Sequence, residues 1–336
     1  MSKRVLITGI TGMVGSHLVD LIIKKTNWKV YGLCRWRSPL DNIEHLLDIS
    51  EKPNSRLNFL YGDLNDYSSI IECVKKSKPH FVFHLAAQSF PQTSFTEPIS
   101  TFNTNINGTY NLLNAIKGAS INPFIHLCSS SEVFGKVSRD KLPIDENCSY
   151  HPASPYAISK VGTDLIGKFF YEAYKLKVIT TRMFTHTGPR RGDVFAESSF
   201  AKQIALIEAK KIKPVIKVGN LSSLRTYADV RDAVNAYFLL LTKKPTPGEV
   251  YNIGGSFSCK VGDMLNYLLS QSKTKKIMIK IEKNRLRPID ADLQIPDITK
   301  FVNHTGWMPK IKFEKTMKDL LNYWRHRVKN SNFLTR

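Results

Sequence analysis

Three glycines near the amino end, Gly9, Gly12 and Gly15 in KRVLITGITGMVGSHLVDLI, restrict what this chain can fold into more than any other feature. An apolar run beginning at residue 4 precedes them and an amphipathic pattern follows. The segment therefore reads as strand, tight turn and helix. The spacing G-x-x-G-x-x-G is a variant of the dinucleotide fingerprint. Its glycines serve a tight turn, a close approach of backbone to a pyrophosphate, and packing of helix on strand. The helix that follows aims unpaired N–H groups and its positive dipole end at the phosphates. Thr8, Thr11, Met13 and Val14 fall in the same turn and join the glycines as candidate cofactor contacts.

The next segments extend the pattern. WKVYGL ends in CRWRS, which offers Arg35 and Arg37 and no acid until Asp41. A carboxylate at this place suits a ribose 2′-hydroxyl, whereas guanidinium forks suit a 2′-phosphate, so NADP is expected over NAD. LNFLYGDL places Asp63 and Leu64 after a third strand, where an adenine edge would be read. HFVFHLAAQS runs a fourth strand into Leu85, Ala86, Ala87 and Gln88, and small residues there let a cofactor lie close to the strand end.

Strands alternate with helical segments through the first 180 residues, the pattern of a doubly wound parallel sheet. Beyond that the pattern turns irregular: a Gly/Pro/Arg-rich loop at 187–193, a helix near 198–211, short strands, and a helix from Lys312 to Lys329. The expected fold is α/β, a Rossmann-type doubly wound parallel sheet with a smaller, interleaved C-terminal lobe. Residues 1–184, with returning segments near 220–255, are expected to bind the cofactor. Residues 185–219 and 256–330 are expected to bind the substrate.

The chemistry concentrates in SPYAISK and in SSSE. Tyr156 and Lys160 stand at i and i+4, which on a helix puts both on one face, one turn apart. An ammonium beside a phenol favours the phenolate, so Tyr156 is expected to act as a base below its ordinary pKa of about 10. An isolated Tyr-x-x-x-Lys pair is usually a solvated helix face. Here it follows both a glycine turn and the run Ser129 to Glu132, a carboxylate among serines at a strand end.

Taken in order, TGITGMVG, DL, HLAAQS, N-x-N-G-T (Asn105 to Thr109), SSSEVFG, YAISK and a late R-P-x-D resemble the extended short-chain dehydrogenase/reductase family over nearly the whole chain. Within it they resemble the nucleotide-sugar 4,6-dehydratases. The loop CRWRSPLDNIEHL, HTGPRRG, NLSSLR and LRPID are most similar to the subgroup that acts on GDP-mannose. The resemblance implies that Tyr156 takes the sugar 4-hydroxyl proton, Glu132 removes the C5 proton, Ser130 with Glu132 assists loss of the 6-hydroxyl, and Lys160 orients the nicotinamide ribose. It implies cofactor contacts at His186 and Arg191 and sugar contacts at Ser89 and Thr185. Arg225 and Arg287 would grip the diphosphate and ribose, and Asp290 would read guanine. Thr185 stands where the family has Asn, and its lysine falls at Gln203 with Lys202 beside it; these departures leave hexose and manno-heptose both open as substrate. A 4-epimerase or 4-oxidoreductase of the same fold, or a non-catalytic NADP-binding protein, are the alternatives; epimerases typically carry a small neutral residue at the Glu132 position.

The formal charge is +21, but the lysines are scattered in short clusters without an aromatic-interleaved basic stripe. Polyanionic ligands, a cofactor and a sugar nucleotide, are therefore expected rather than nucleic acid. Five cysteines, odd in number and in no metal spacing, fit a reducing cytoplasm, and no metal is expected. The first residues read directly into a strand and no apolar run reaches about 18 residues, so neither a signal peptide nor a membrane partner is expected. The resemblance implies a homo-oligomer: a dimer through paired long helices, one bearing Tyr156, or a tetramer that also uses the loop Arg35–Asn42.

Overall fold

The computed structural model describes residues 2–289 and 291–330; Asp290, the expected guanine reader, lies outside them. The first half of the chain runs β1 (Arg4–Thr8), α1 (Met13–Lys25), β2 (Lys29–Cys34), α2 (Glu44–Ser50), β3 (Leu57–Tyr61), α3 (Tyr67–Ser77), β4 (Phe81–His84), α4 (Pro91–Thr96), α5 (Pro98–Phe102), α6 (Gly108–Gly118), β5 (Phe124–Cys128), α7 (Pro155–Tyr174) and β6 (Lys177–Met183). The second half adds β7 (His186–Thr187), α8 (Ala196–Glu208), β8 (Val215–Val218), β9 (Leu224–Asp229), α9 (Val230–Thr242), β10 (Val250–Ile253), β11 (Phe257–Lys260), α10 (Val261–Ser270), β12 (Met278–Ile281), β13 (Leu293–Gln294), α11 (Thr299–Thr305) and α12 (Phe313–Asn330).

Seven strands form one parallel sheet in the order β10-β6-β5-β4-β1-β2-β3. Both of its faces are covered, which is why β1 and β4 read as unbroken apolar runs rather than alternating ones. Side chains still alternate between faces. Val5 and Ile7 pack with Leu18 and Ile22 of α1 and Tyr237 and Leu240 of α9. Leu6 and Val82 pack on the other side with Leu112 and Ile116 of α6 and Phe170 of α7. Each such side chain contributes about 1.5–3 kcal/mol on burial, so the two layers hold the sheet ends, and whatever lies across them, in a fixed frame.

Local chemistry sets the helices that matter for the site. Helix α7 starts at Pro155, whose missing N–H costs nothing there, and Ser154 accepts from the Ala157 N–H at 3.0 Å. Asp66 caps α3 in the same way, accepting from Ser68 and Ser69.

The smaller lobe has its own core, in which Phe200 and Ile204 of α8 meet Leu265 and Leu268 of α10 and Met317, Leu321 and Trp324 of α12. Its strands are β11-β9-β13, with β7 beside β9, and the pair β12-β8. The lobes are interleaved: α9 and β10 return to the large sheet, and Phe301 and Trp307 pack in its core, whereas β9 pairs inside the small lobe. The helices expected near 198–211 and from Lys312 to Lys329 are α8 and α12.

Candidate active site

A cleft of about 1050 Å³ opens at the carboxyl ends of β1, β4, β5 and β6 and runs into the small lobe. The strand order reverses between β1 and β4, the place where open α/β sheets hold nucleotides. One wall is the glycine turn. Gly9 has φ +73°, and a Cβ on it would stand 2.8 Å from the Ala86 backbone; a Cβ on Gly15 would meet the Gly9 carbonyl oxygen. Only glycine lets β1, α1 and the end of β4 close up this far. Gly12 caps α1 without a side chain, which leaves the first N–H groups of the helix for an anion. Thr11, Met13 and Val14 line the same wall, with Arg35 at the end of β2 and Asp63 and Leu64 after β3. Leu85, Ala86, Ala87, Gln88 and Ser89 line the floor after β4. A glycine-tightened turn, an open helix N-terminus and a guanidinium at the second strand end together fit a dinucleotide with a 2′-phosphate.

Two expected cofactor contacts fall elsewhere. Arg37 lies past the end of β2 in an exposed turn, and it does not line the cleft. Thr8 is fully buried behind the wall. Its Oγ1 accepts from the Leu85 and Ala86 N–H groups, both at 3.2 Å, so its own hydrogen goes to His84 Nδ1 at 2.8 Å. His84 Nε2 then donates to Thr109 Oγ1 at 3.0 Å, and Thr109 donates to the Asn105 carbonyl at 2.6 Å. Burial holds the His84 pKa down at about 3, so the ring is neutral, as this chain of bonds requires. The Thr8 hydroxyl thus ties the floor to the helix layer.

Asn105 completes the tie. It sits in a π-helical turn, Asn103–Asn107, and is buried. Its side chain accepts from the Gln88 N–H at 2.8 Å and donates to the Gln88 carbonyl at 3.0 Å and to Ser159 Oγ at 2.8 Å. The cleft floor is therefore bolted to α7, the helix that carries Tyr156 and Lys160.

Tyr156, Lys160, Ser130 and Glu132 all line one part of the cleft. Ser130 accepts from the Glu132 N–H at 3.2 Å, and its hydroxyl stands beside the Tyr156 phenol, where it favours the phenolate. Lys160 Nζ donates to the Cys128 carbonyl at 2.7 Å and lies 6.0 Å from the Tyr156 ring centroid. The expected lowering of the phenol pKa is not found. Burial pushes Tyr156 up, against the opposing effects of the Ser130 hydrogen bond and the Arg191 charge. Lys160 is itself pushed down by burial, with Cys128 and Asp164 acting the other way. Desolvation of the phenolate outweighs the cations because Tyr156 is buried and the ammonium is turned to a carbonyl.

Beyond Tyr156 stand Thr185, His186 and Arg191. Burial lowers the His186 pKa to about 4, helped by the Arg191 charge. Arg191 Nε donates to Glu197 at 3.1 Å, and its guanidinium lies 3.4 Å from the Phe195 ring centroid. In the small lobe, Arg225 Nη1 lies 3.5 Å and Arg287 Nη1 3.8 Å from Glu132 Oε1. Lys202 does not line the cleft: its Nζ pairs with Asp193 at 2.6 Å and lies over Trp324. Gln203 bonds the Lys217 backbone instead. Sequence reasoning passed over Asn220, Asn284 and Arg285, which line the far end, and Phe90, which packs edge-on against Phe195 at 5.6 Å. The basic run KNRLRP carries Asn284 and Arg285, and NLSSLR begins at Asn220. Among the described residues no cluster of His, Cys, Asp and Glu could hold a metal, and no helix is long and apolar enough to cross a membrane.

A seven-stranded parallel sheet with a glycine turn at its switch point, and a Tyr-x-x-x-Lys helix beside a strand-end serine, defines a short-chain dehydrogenase/reductase. The family model for GDP-mannose 4,6 dehydratase matches residues 6–320, and the chain belongs to that family. GDP-mannose 4,6 dehydratase 2 of Caenorhabditis elegans is 29% identical over 95% of this chain and 88% of its own. GDP-6-deoxy-D-mannose reductase of Pseudomonas aeruginosa is also 29% identical, over 98% of this chain and 99% of its own. The structure of RMD from Pseudomonas aeruginosa complexed with NADPH superposes with a TM-score of 0.81 at 26% identity, covering 97% of this chain and all of that one.

Proposed function

We propose that this protein removes water from a GDP-sugar, GDP-mannose or a GDP-manno-heptose, giving the 4-keto-6-deoxy sugar. The observation that carries the reading is Glu132 beside the Tyr156–Ser130 pair in one cleft. An oxidation or epimerisation at C4 needs a group for the hydroxyl proton; elimination across C5 and C6 needs a second base, and a carboxylate suits it.

NADP, when bound along the glycine turn and floor, supplies the hydride acceptor for C4 and the hydride donor for C6. Tyr156 takes the 4-hydroxyl proton, with Ser130 donating to the phenol oxygen. The 4-ketone acidifies C5, and Glu132 removes that proton. Glu132, helped by Ser130, then passes a proton to the departing 6-hydroxyl, which leaves as water. C5 regains a proton at the end, so the sum is loss of one water and no net redox change. Lys160 holds the ribose side of the site, and burial of Tyr156 and Lys160 keeps bulk water from the ketone. Arg225 and Arg287 bind the diphosphate, and Asp290 the guanine edge.

A second reading, reduction of a 4-keto-6-deoxy GDP-sugar, is favoured by the likeness to the Pseudomonas aeruginosa reductase. Incubation with GDP-mannose and catalytic NADP⁺ separates the two. A product lighter by one water, with no accumulation of NADPH, supports dehydration. An unchanged GDP-mannose, together with NADPH consumption when the 4-keto sugar is offered, supports reduction; an isomass product indicates epimerisation.

The assembly we propose is at least a dimer, pairing α7 with its copy. Ile158, Leu165 and Phe169 repeat at 7 and 4 residues, so they share one face of α7, and they are 47%, 53% and 47% exposed. A contiguous apolar face of this kind marks an interface. Light scattering that returns the mass of one chain would remove it. Five free thiols support a cytoplasmic setting.

A further inference from the structure

Glu132 is held before any substrate arrives. Arg225 and Arg287 approach the same carboxylate oxygen, Oε1, from β9 and from the segment after β12. The three side chains are 14%, 12% and 23% exposed, so water screens their charges weakly. Two guanidiniums turned to Oε1 occupy the oxygen that would otherwise face an incoming C–H group. Yet the separations of 3.5 and 3.8 Å are longer than the ~2.7–2.9 Å of a tight charge-assisted hydrogen bond. The contact is an electrostatic one that a better partner can replace. A diphosphate is such a partner, since it carries more charge than a carboxylate and matches the guanidinium forks bidentately. Both arginines line the cleft, with Asn220 and Arg285 beyond them.

We propose that Arg225 and Arg287 make the base available only to diphosphate-linked sugars: the substrate's diphosphate draws both guanidiniums off Glu132, and the released carboxylate then faces C5. This rests on the dehydratase reading of the site. A sugar monophosphate, which brings one phosphate, would leave Glu132 paired. The arrangement turns the diphosphate from a handle into a condition for proton abstraction.

Crystal structures of the NADP-loaded protein with and without GDP test this, because GDP carries the diphosphate and guanine but no sugar to turn over. Without GDP both arginines stay within ion-pair distance of Glu132; with GDP both contact phosphate oxygens and neither contacts the carboxylate. A GDP complex in which either arginine remains on Glu132 overturns the proposal. Kinetics of Arg225→Gln give a second reading. The loss is expected mainly in KM, about 10–100-fold, with kcat falling far less than in Glu132→Gln, because in the substrate complex the base is already released. A kcat loss equal to that of Glu132→Gln would mean that Arg225 supports the base throughout. If wild type removes no water from GDP-mannose, the dehydratase reading fails by itself, whatever the GDP complex shows.

Discussion

Lys160 Nζ donates to the Cys128 carbonyl at 2.7 Å rather than standing on the Tyr156 phenol, whose ring centroid is 6.0 Å away. With burial pushing the phenol pKa up, the protein without cofactor keeps Tyr156 protonated across the neutral range. Ultraviolet difference titration of wild type against Tyr156→Phe should therefore show no phenolate appearing below about pH 10, the ordinary tyrosine value. A step between about pH 6 and 8 would mean that Lys160 and Arg191 overcome desolvation in the free protein.

Glu132→Gln removes the proposed proton acceptor while keeping size and shape. The variant should bind NADP as wild type does, yet lose about 10²–10⁴-fold in turnover, the usual contribution of a positioned general base. Incorporation of solvent deuterium at C5, followed by mass spectrometry, reads the step itself. Undiminished exchange would take Glu132 out of the base role.

Asn105→Ala breaks three hydrogen bonds between the cleft floor and α7. The half-buried Gln88 groups and the buried Ser159 hydroxyl lose a partner, at up to about 1–3 kcal/mol for a fully buried group, so a lower urea midpoint is expected. Because Gln88 loses its anchor, NADP affinity should fall as well. A variant with wild-type stability and affinity would show that the floor is held by other contacts.

Acid should destabilise the fold through its buried imidazoles. His84 and His126 are buried, and burial lowers each pKa to about 3. In the unfolded chain they titrate near about 6.5. Between those values the unfolded state binds more protons, so stability is complete above about pH 6.5 and is lost as pH falls toward 3. The slope is about 1.4 kcal/mol per histidine per pH unit. Urea midpoints at pH 7 and pH 5 should differ less in His126→Gln than in wild type; an unchanged difference would contradict this.

Local signals carried much of the sequence reading. The glycine turn was legible because Gly9 and Gly15 are demanded by contacts only a few residues away or at the next strand end. Helix α7 was legible through its Tyr156–Lys160 spacing and the Ser154–Pro155 start. What the sequence did not show depends on side-chain direction. Lys202 and Gln203 are neighbours in α8, but their side chains bond Asp193 and the Lys217 backbone, outside the cleft. Thr8 ends β1 with its hydroxyl turned into the layer behind, and Arg37 falls just past the reach of β2. The approach of Arg225 and Arg287 to Glu132 had no sequence signal, since it arises only when the small lobe folds over the sheet.

The account stands on a hydride that leaves C4 and comes back at C6 of the same molecule. GDP-mannose carrying deuterium at C4, turned over with catalytic unlabelled NADP⁺, tests it most directly. The product should hold that deuterium at C6, with solvent hydrogen at C5 and no reduced nicotinamide accumulating. Deuterium found in released NADPH, or absent from C6 of a dehydrated product, would contradict the account.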